Sequence, residues 1–168
     1  MNKPFWPALL VMLLLPSLAP AQPFEAIEPP ATLTFSLPTS DGEQRSLADF
    51  HGRVVIINFW ASWCTPCVRE MPELMQIKKQ YAGQPLEIIA INVGESPAHA
   101  KQFVASMGFD LPVLIDRDRN IFKHWGGRVL PMSLLIDAQG QARFRAIGDP
   151  GWFDLPTQQV IDGLLAVD

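Results

Sequence analysis

Two cysteines, Cys64 and Cys67, are the only thiols in the chain, and they stand three apart in Trp63-Cys64-Thr65-Pro66-Cys67. Thiols at this spacing close a disulfide within one helical turn and can reopen it by attack of another thiolate, so the chemistry they suit is thiol–disulfide exchange. A bridge stabilises through the loop it closes, and so short a loop gives the least stabilisation. The pair therefore reads as reactive rather than structural. A zinc site needs four ligands, yet there is no third cysteine, and His51, His99 and His124 are widely separated. No metal and no cofactor are expected.

Such a pair needs a rigid strand to deliver it and a helix to activate it. Residues 54–60, Val-Val-Ile-Ile-Asn-Phe-Trp, form an unbroken β-branched and aromatic run that predicts a central strand covered on both faces. Beyond Cys64, the residues Val68, Met71, Leu74, Ile77 and Tyr81 recur at near-helical spacing up to Gly83, with Pro72 expected to bend the helix. Cys64 then sits at a helix N-terminus, where unpaired N–H groups and the helix dipole lower a thiol pKa. The first cysteine is expected at the exposed helix start and attacks; the second, one turn in and shielded, resolves. Glu70 follows Cys67 by three residues and Cys64 by six, which brings its carboxylate beneath the active-site turn. There it either shuttles a proton or is a solvated first-turn acid favourable to the dipole.

The rest of the chain alternates strand and helix patterns, which implies a parallel sheet. Residues 86–93 and 111–115 read as strands, and 98–107 as a helix closed by Gly108. Residues 120–125 suit a short helix, 132–136 and 142–147 a strand pair, and 155–167 a last helix. Before the central strand, residues 32–37 and 43–47 flank Asp41-Gly42 and predict an N-terminal hairpin. Residues 22–31, with three prolines and no periodicity, read as an extended linker.

The first 21 residues have the layout of a signal peptide. Lys3 supplies a positive start, residues 8–15 are apolar, and Ala19-Pro20-Ala21 offers small residues for cleavage before Gln22. The rival is a retained N-terminal membrane anchor, but Pro16 ends the strongest apolar run far short of the ~20 residues a spanning helix needs. A periplasmic or other extracytoplasmic location follows, with a single folded domain over residues 32–168. The chain has 168 residues, 48% of them hydrophobic, and a net charge of −4 without runs of like sign. Scattered acidity of this kind suits a soluble surface and argues against nucleic-acid binding. A monomer is expected.

The stretch Asn58-Phe59-Trp60-Ala61-Ser62-Trp63-Cys64-Thr65-Pro66-Cys67, with Pro72 following, resembles thioredoxin. Glu70-Met71-Pro72, Ile91-Asn92-Val93-Gly94-Glu95-Ser96 and Leu130-Pro131 with Leu135-Ile136-Asp137 are similar to the TlpA/ResA-like branch of exported thioredoxins. The resemblance implies an α/β thioredoxin fold with an N-terminal β-hairpin extension and a central strand-helix insertion, placed here at residues 86–107. It implies that Glu70 serves as the buried acid, since the strand position used by cytosolic thioredoxins is Asn58, which cannot titrate. It also implies a cis bond at Leu130-Pro131, whose loop meets the cysteine turn. Trp63, Thr65, Pro66, Leu130 and Pro131 are the expected substrate-binding residues. Glu95 either lines a substrate groove or is an N-terminal helix acid. Trp60 is expected in the core, and Trp125 and Trp152 as packing.

The resemblance implies a reductase of disulfide-containing exported proteins, of the cytochrome c maturation or copper-centre assembly type, recharged by a membrane thiol electron donor. The same motif serves an oxidant, because potentials of such pairs vary by more than ~100 mV. A thiol peroxidase would carry threonine three residues before its nucleophile, where Ala61 stands. A copper-binding chaperone would use Cys64, Cys67 and His124.

Overall fold

A computed structural model describes residues 23–167. The expected signal peptide and its cleavage point lie outside the described residues. Among the described residues, no helix is long and apolar enough to cross a membrane.

The elements run β1 (Glu25–Thr32), β2 (Ser36–Pro38), β3 (Gln44–Ser46), a 3-10 turn (Leu47–Phe50), β4 (Val54–Trp60), α1 (Thr65–Gln80), β5 (Leu86–Val93), α2 (Pro97–Met107), β6 (Val113–Asp116), α3 (Asn120–His124), β7 (Met132–Ile136), β8 (Gln141–Ile147) and α4 (Leu155–Leu165). Six strands form one sheet in the order β1-β8-β7-β4-β5-β6, and β2 and β3 form a separate short hairpin. The sheet is mixed rather than parallel. β4, β5 and β6 are parallel, joined by helical crossovers, whereas β7 and β8 run antiparallel because the four residues between them permit only a hairpin return.

All seven residues of β4 are buried, and they alternate between two cores as a strand period of two requires. Val55, Ile57 and Phe59 face α3 and the β2–β3 hairpin, where Phe59 meets Phe122 and Trp125. Val54 and Ile56 face α1 and α4, packing with Leu74, Ile77, Ile161 and Trp152. Trp60, on that same even-numbered face, joins Cys64, Cys67, Met71 and Ala100 of α2. Asn58 lies between Ile56 and Trp60 and is therefore aimed at α1.

Two further expectations are corrected. Residues 25–32 are not a free linker: β1 pairs antiparallel with β8, and its register is irregular between Ala26 and Ala31, around Pro29 and Pro30. Both prolines fall in the irregular stretch, where the ladder to β8 is interrupted and no N–H is called for, and the mostly exposed positions of β1 erase the alternation that would mark a strand. The insertion also falls one element later than residues 86–107. β5 pairs with β4 from Val54↔Leu86 to Trp60↔Asn92, so it belongs to the central unit, and the strand added at the margin is β6.

Candidate active site

The turn between β4 and α1 carries the cysteines. The Cys64 N–H donates to Ala61 O at 3.1 Å, closing the turn, and the Val68 N–H donates to Cys64 O at 3.1 Å, opening the helix. Cys64 is the N-cap of α1, its Sγ accepting the Cys67 N–H at 3.4 Å. Pro66 occupies the first turn, where a missing N–H costs nothing. Cys64 and Cys67 are joined by a disulfide.

The cysteines are unequal, though by less than the helix-start argument implies. Cys67 is fully buried and Cys64 keeps only 5% of its surface. Cys64 is not freely exposed because Trp60, Ala61 and Leu130 pack around it. Trp63, Thr65 and Pro66 are exposed, Trp63 the most conspicuous at 64%. On the other side of the turn, the Leu130–Pro131 bond is cis, Pro131 is buried and its carbonyl accepts the Gly148 N–H at 2.9 Å. Val129 and Ile147 stand exposed beside it. Leu130, next to Pro131, thus packs against the cluster that holds both cysteines.

Glu70 is only 1% exposed. It shares the inward stripe of α1 with Cys67, Met71, Leu74 and Ile77, a spacing of three and four that puts it one turn below Cys67. Its Oε1 accepts from Asn58 Nδ2 at 2.7 Å and its Oε2 from Trp152 Nε1 at 3.3 Å. Asn58 Nδ2 also donates to Ser133 Oγ at 3.1 Å, across the β4–β7 pair. Burial pushes the Glu70 carboxyl up to about 7; the bonds from Asn58 and Trp152 oppose the rise, and the nearby carboxylates of Asp149 and Glu73 add to it. A desolvated carboxyl that titrates near neutrality can take up and release a proton under ordinary conditions.

A second carboxylate braces the turn from the other side. Gly94, with φ of 82°, turns the chain at the end of β5 so that Glu95 points back at the cysteine loop. Glu95 accepts the Ser62 N–H at 2.8 Å, the Ser62 Oγ–H at 2.5 Å and an Asn92 Nδ2–H at 2.6 Å. His99 Nε2 lies 3.0 Å from Ser62 Oγ and 3.3 Å from Glu95 Oε1. Partial burial alone would raise this carboxyl, but the bonds from Ser62 and Asn92 and the neighbouring His99 outweigh it and hold Glu95 below the ordinary carboxylate range. Glu95 is therefore neither open to a groove nor a simple helix-terminal acid.

Sequence reasoning missed three members of this arrangement. Ser62 and Ser133 carry no motif of their own, and the indole N–H of Trp152 reaches Glu70 only because the chain after β8 folds back onto α1. Among the described residues, no three His, Cys, Asp or Glu side chains converge to hold a metal ion. A cavity of about 380 Å³ lined by Leu33, Phe35, Leu47, Phe50 and Ile136 lies at the other end of β4 and contains none of the site residues.

Comparisons with known proteins bear on this geometry. The AhpC/TSA family model matches residues 30–145. The chain is similar to the thiol-disulfide oxidoreductase ResA of Geobacillus thermodenitrificans, 37% identical over 109 residues that cover 65% of this chain and 63% of the relative. It is also similar to ResA of Bacillus thuringiensis strain Al Hakam, 34% identical over 74% of this chain and 69% of the relative. The chain spans under two thirds of the length of the first of these curated relatives. Among solved structures, a Chlorobium tepidum protein described as a thiol:disulfide interchange protein DsbE superimposes with a TM-score of 0.74 and 28% identity, over 80% of this chain and 95% of that one.

Proposed function

The chain belongs to the AhpC/TSA family of thioredoxin-like proteins, and from that premise we propose that it is a thiol–disulfide oxidoreductase that reduces disulfides of exported proteins. One observation carries the reading: the Cys64–Cys67 disulfide caps α1 directly above a sealed carboxyl held near neutrality.

In the reduced state, the Cys64 thiolate attacks one sulfur of a substrate disulfide, forming a mixed disulfide and releasing the first substrate thiolate. The Cys67 thiol gives its proton to Glu70, and the resulting thiolate attacks Cys64 Sγ, which expels the second substrate thiolate. Two electrons pass to the substrate, and the protein is left with the Cys64–Cys67 disulfide seen here. A thiol electron donor of the membrane then restores the dithiol. Trp63, Thr65, Pro66, Leu130 and Pro131 form the surface that meets the substrate. The ResA and DsbE names of the similar proteins support exchange as the activity, and export by the N-terminal segment before Gln22 is part of the same proposal. Cytochrome c maturation and copper-centre assembly are the substrate classes proposed.

A thiol peroxidase would carry threonine three residues before its nucleophile, where Ala61 supplies no hydroxyl. Equilibration with glutathione separates reductase from oxidant: a clearly reducing potential is expected, and a value near about −120 mV, that of a strong oxidant, would overturn the direction.

A further inference from the structure

Glu70 is held by two donors of different kinds. The Asn58 amide carries a donor end and an acceptor end, and its Oδ1 is buried without a partner among the described residues. Rotating that amide turns Oδ1 toward Glu70 and the Ser133 hydroxyl, both of which can then donate. The Asn58 side of the carboxyl therefore accommodates Glu70 charged or protonated. The Trp152 side does not, because an indole N–H can only donate. Trp152 is itself fully buried, between Gly151, whose φ is 67°, and the exposed Phe153.

The geometry points to Trp152 as a positioning residue for the exchange reaction, holding Glu70 so that Oε2 stays an acceptor and the mobile proton is carried on Oε1, facing Asn58. The stretch between β8 and α4 thereby becomes a working part of the site, although it carries no cysteine and no acid that touches sulfur. The inference rests on the exchange reading above and adds the element that fixes which carboxylate oxygen is protonated. The charged groups facing Glu70 are Glu73, on α1, and Asp149, on the same stretch as Trp152; Asp154 in turn faces Glu73.

The test uses the oxidised full chain, in which neither cysteine titrates. The 15N-resolved indole N–H signal of Trp152 is followed through the neutral range, in the wild type and in Glu70→Gln. The expected result is one transition with a midpoint near 7 in the wild type and none in the variant. A flat signal in the wild type, or the same transition in Glu70→Gln, would overturn the inference. Trp152→Phe supplies an independent readout. Loss of the donor favours the protonated acid, so the Glu70-dependent step in the pH profile of exchange moves upward by about one pH unit, roughly a tenfold change in proton affinity. An unmoved profile in a folded Trp152→Phe protein overturns the inference as well, and if that variant does not fold, the first two spectra decide. Failure of the exchange activity itself registers separately, as absence of disulfide turnover in the wild type.

Discussion

The Glu95 carboxylate accepts the Ser62 backbone N–H at 2.8 Å, which ties the end of β5 to the turn two residues before Cys64. The cysteine turn is thus braced from the sheet as well as from its own helix.

Removing that brace leaves the Ser62 N–H and the Asn92 amide without their acceptor. Glu95→Ala is expected to lower stability by about 1–3 kcal/mol at neutral pH and to slow disulfide exchange. Because the Glu95 carboxyl lies below its ordinary range in the fold, its contribution is present above the unfolded-state value and is lost as pH falls through the folded-state value. Urea unfolding of both proteins at about pH 7 and about pH 3 checks this: the difference shrinks in acid.

Glu70 works in the opposite sense. Its folded carboxyl is raised from 4.5 to about 7, so the fold binds the proton more tightly than the unfolded chain. Its contribution is full below about 4.5 and is lost as pH rises through about 7. The oxidised wild type is expected to lose on the order of 3 kcal/mol across that window from this group, and Glu70→Gln to lose none of it. Unfolding free energies measured at intervals across the window test the difference.

The roles proposed for the two cysteines make their substitutions unequal too. In the proposed mechanism Cys67→Ser keeps the attacking sulfur and removes the resolving one, so it is expected to accumulate a mixed disulfide with a model substrate that reductant dissolves. Cys64→Ser accumulates none and loses exchange altogether. Non-reducing gels distinguish the two, and a mixed disulfide formed equally by both variants contradicts the assigned roles.

Gly127 lets the chain pass close over the Phe122 ring by its lack of a side chain. A Cβ there would lie 2.3 Å from the Phe122 ring, which is itself packed on Phe59 at 5.4 Å between centroids. Gly127→Ala is expected to cost about 1–3 kcal/mol through overpacking, read as a lowered thermal midpoint. It should also slow exchange, because the displaced segment carries Leu130.

Much of this was legible in the sequence wherever a period or a punctuating residue was present. The unbroken run ending at Trp60, the apolar stripe of α1 and Gly108 after α2 specify their elements locally, and the two cysteines announce their chemistry by spacing alone. What was illegible depends on partners distant in sequence. The Asn58–Glu70 and Trp152–Glu70 bonds span 12 and 82 residues, and no local pattern records them. β1 was hidden for another reason: it is exposed along its outer side, so burial imposes no alternation on it. The mixed direction of the sheet was readable in principle, since the Asp137-Ala138-Gln139-Gly140 turn is too short for a parallel return.

The prolines of β1 have a consequence for how copies of this molecule meet. A bare sheet margin offers a row of free N–H and C=O groups on which another chain can add, the first step of runaway polymerisation. Here the margin beside β8 is occupied by a strand whose centre is Glu28-Pro29-Pro30 and whose register breaks between Ala26 and Ala31. Pro29 and Pro30 have no hydrogen to give to a newcomer, and Glu25 and Glu28 bring charge to the same edge. The segment that reads as a tether is thus a guard of this sheet margin against pairing with a further strand.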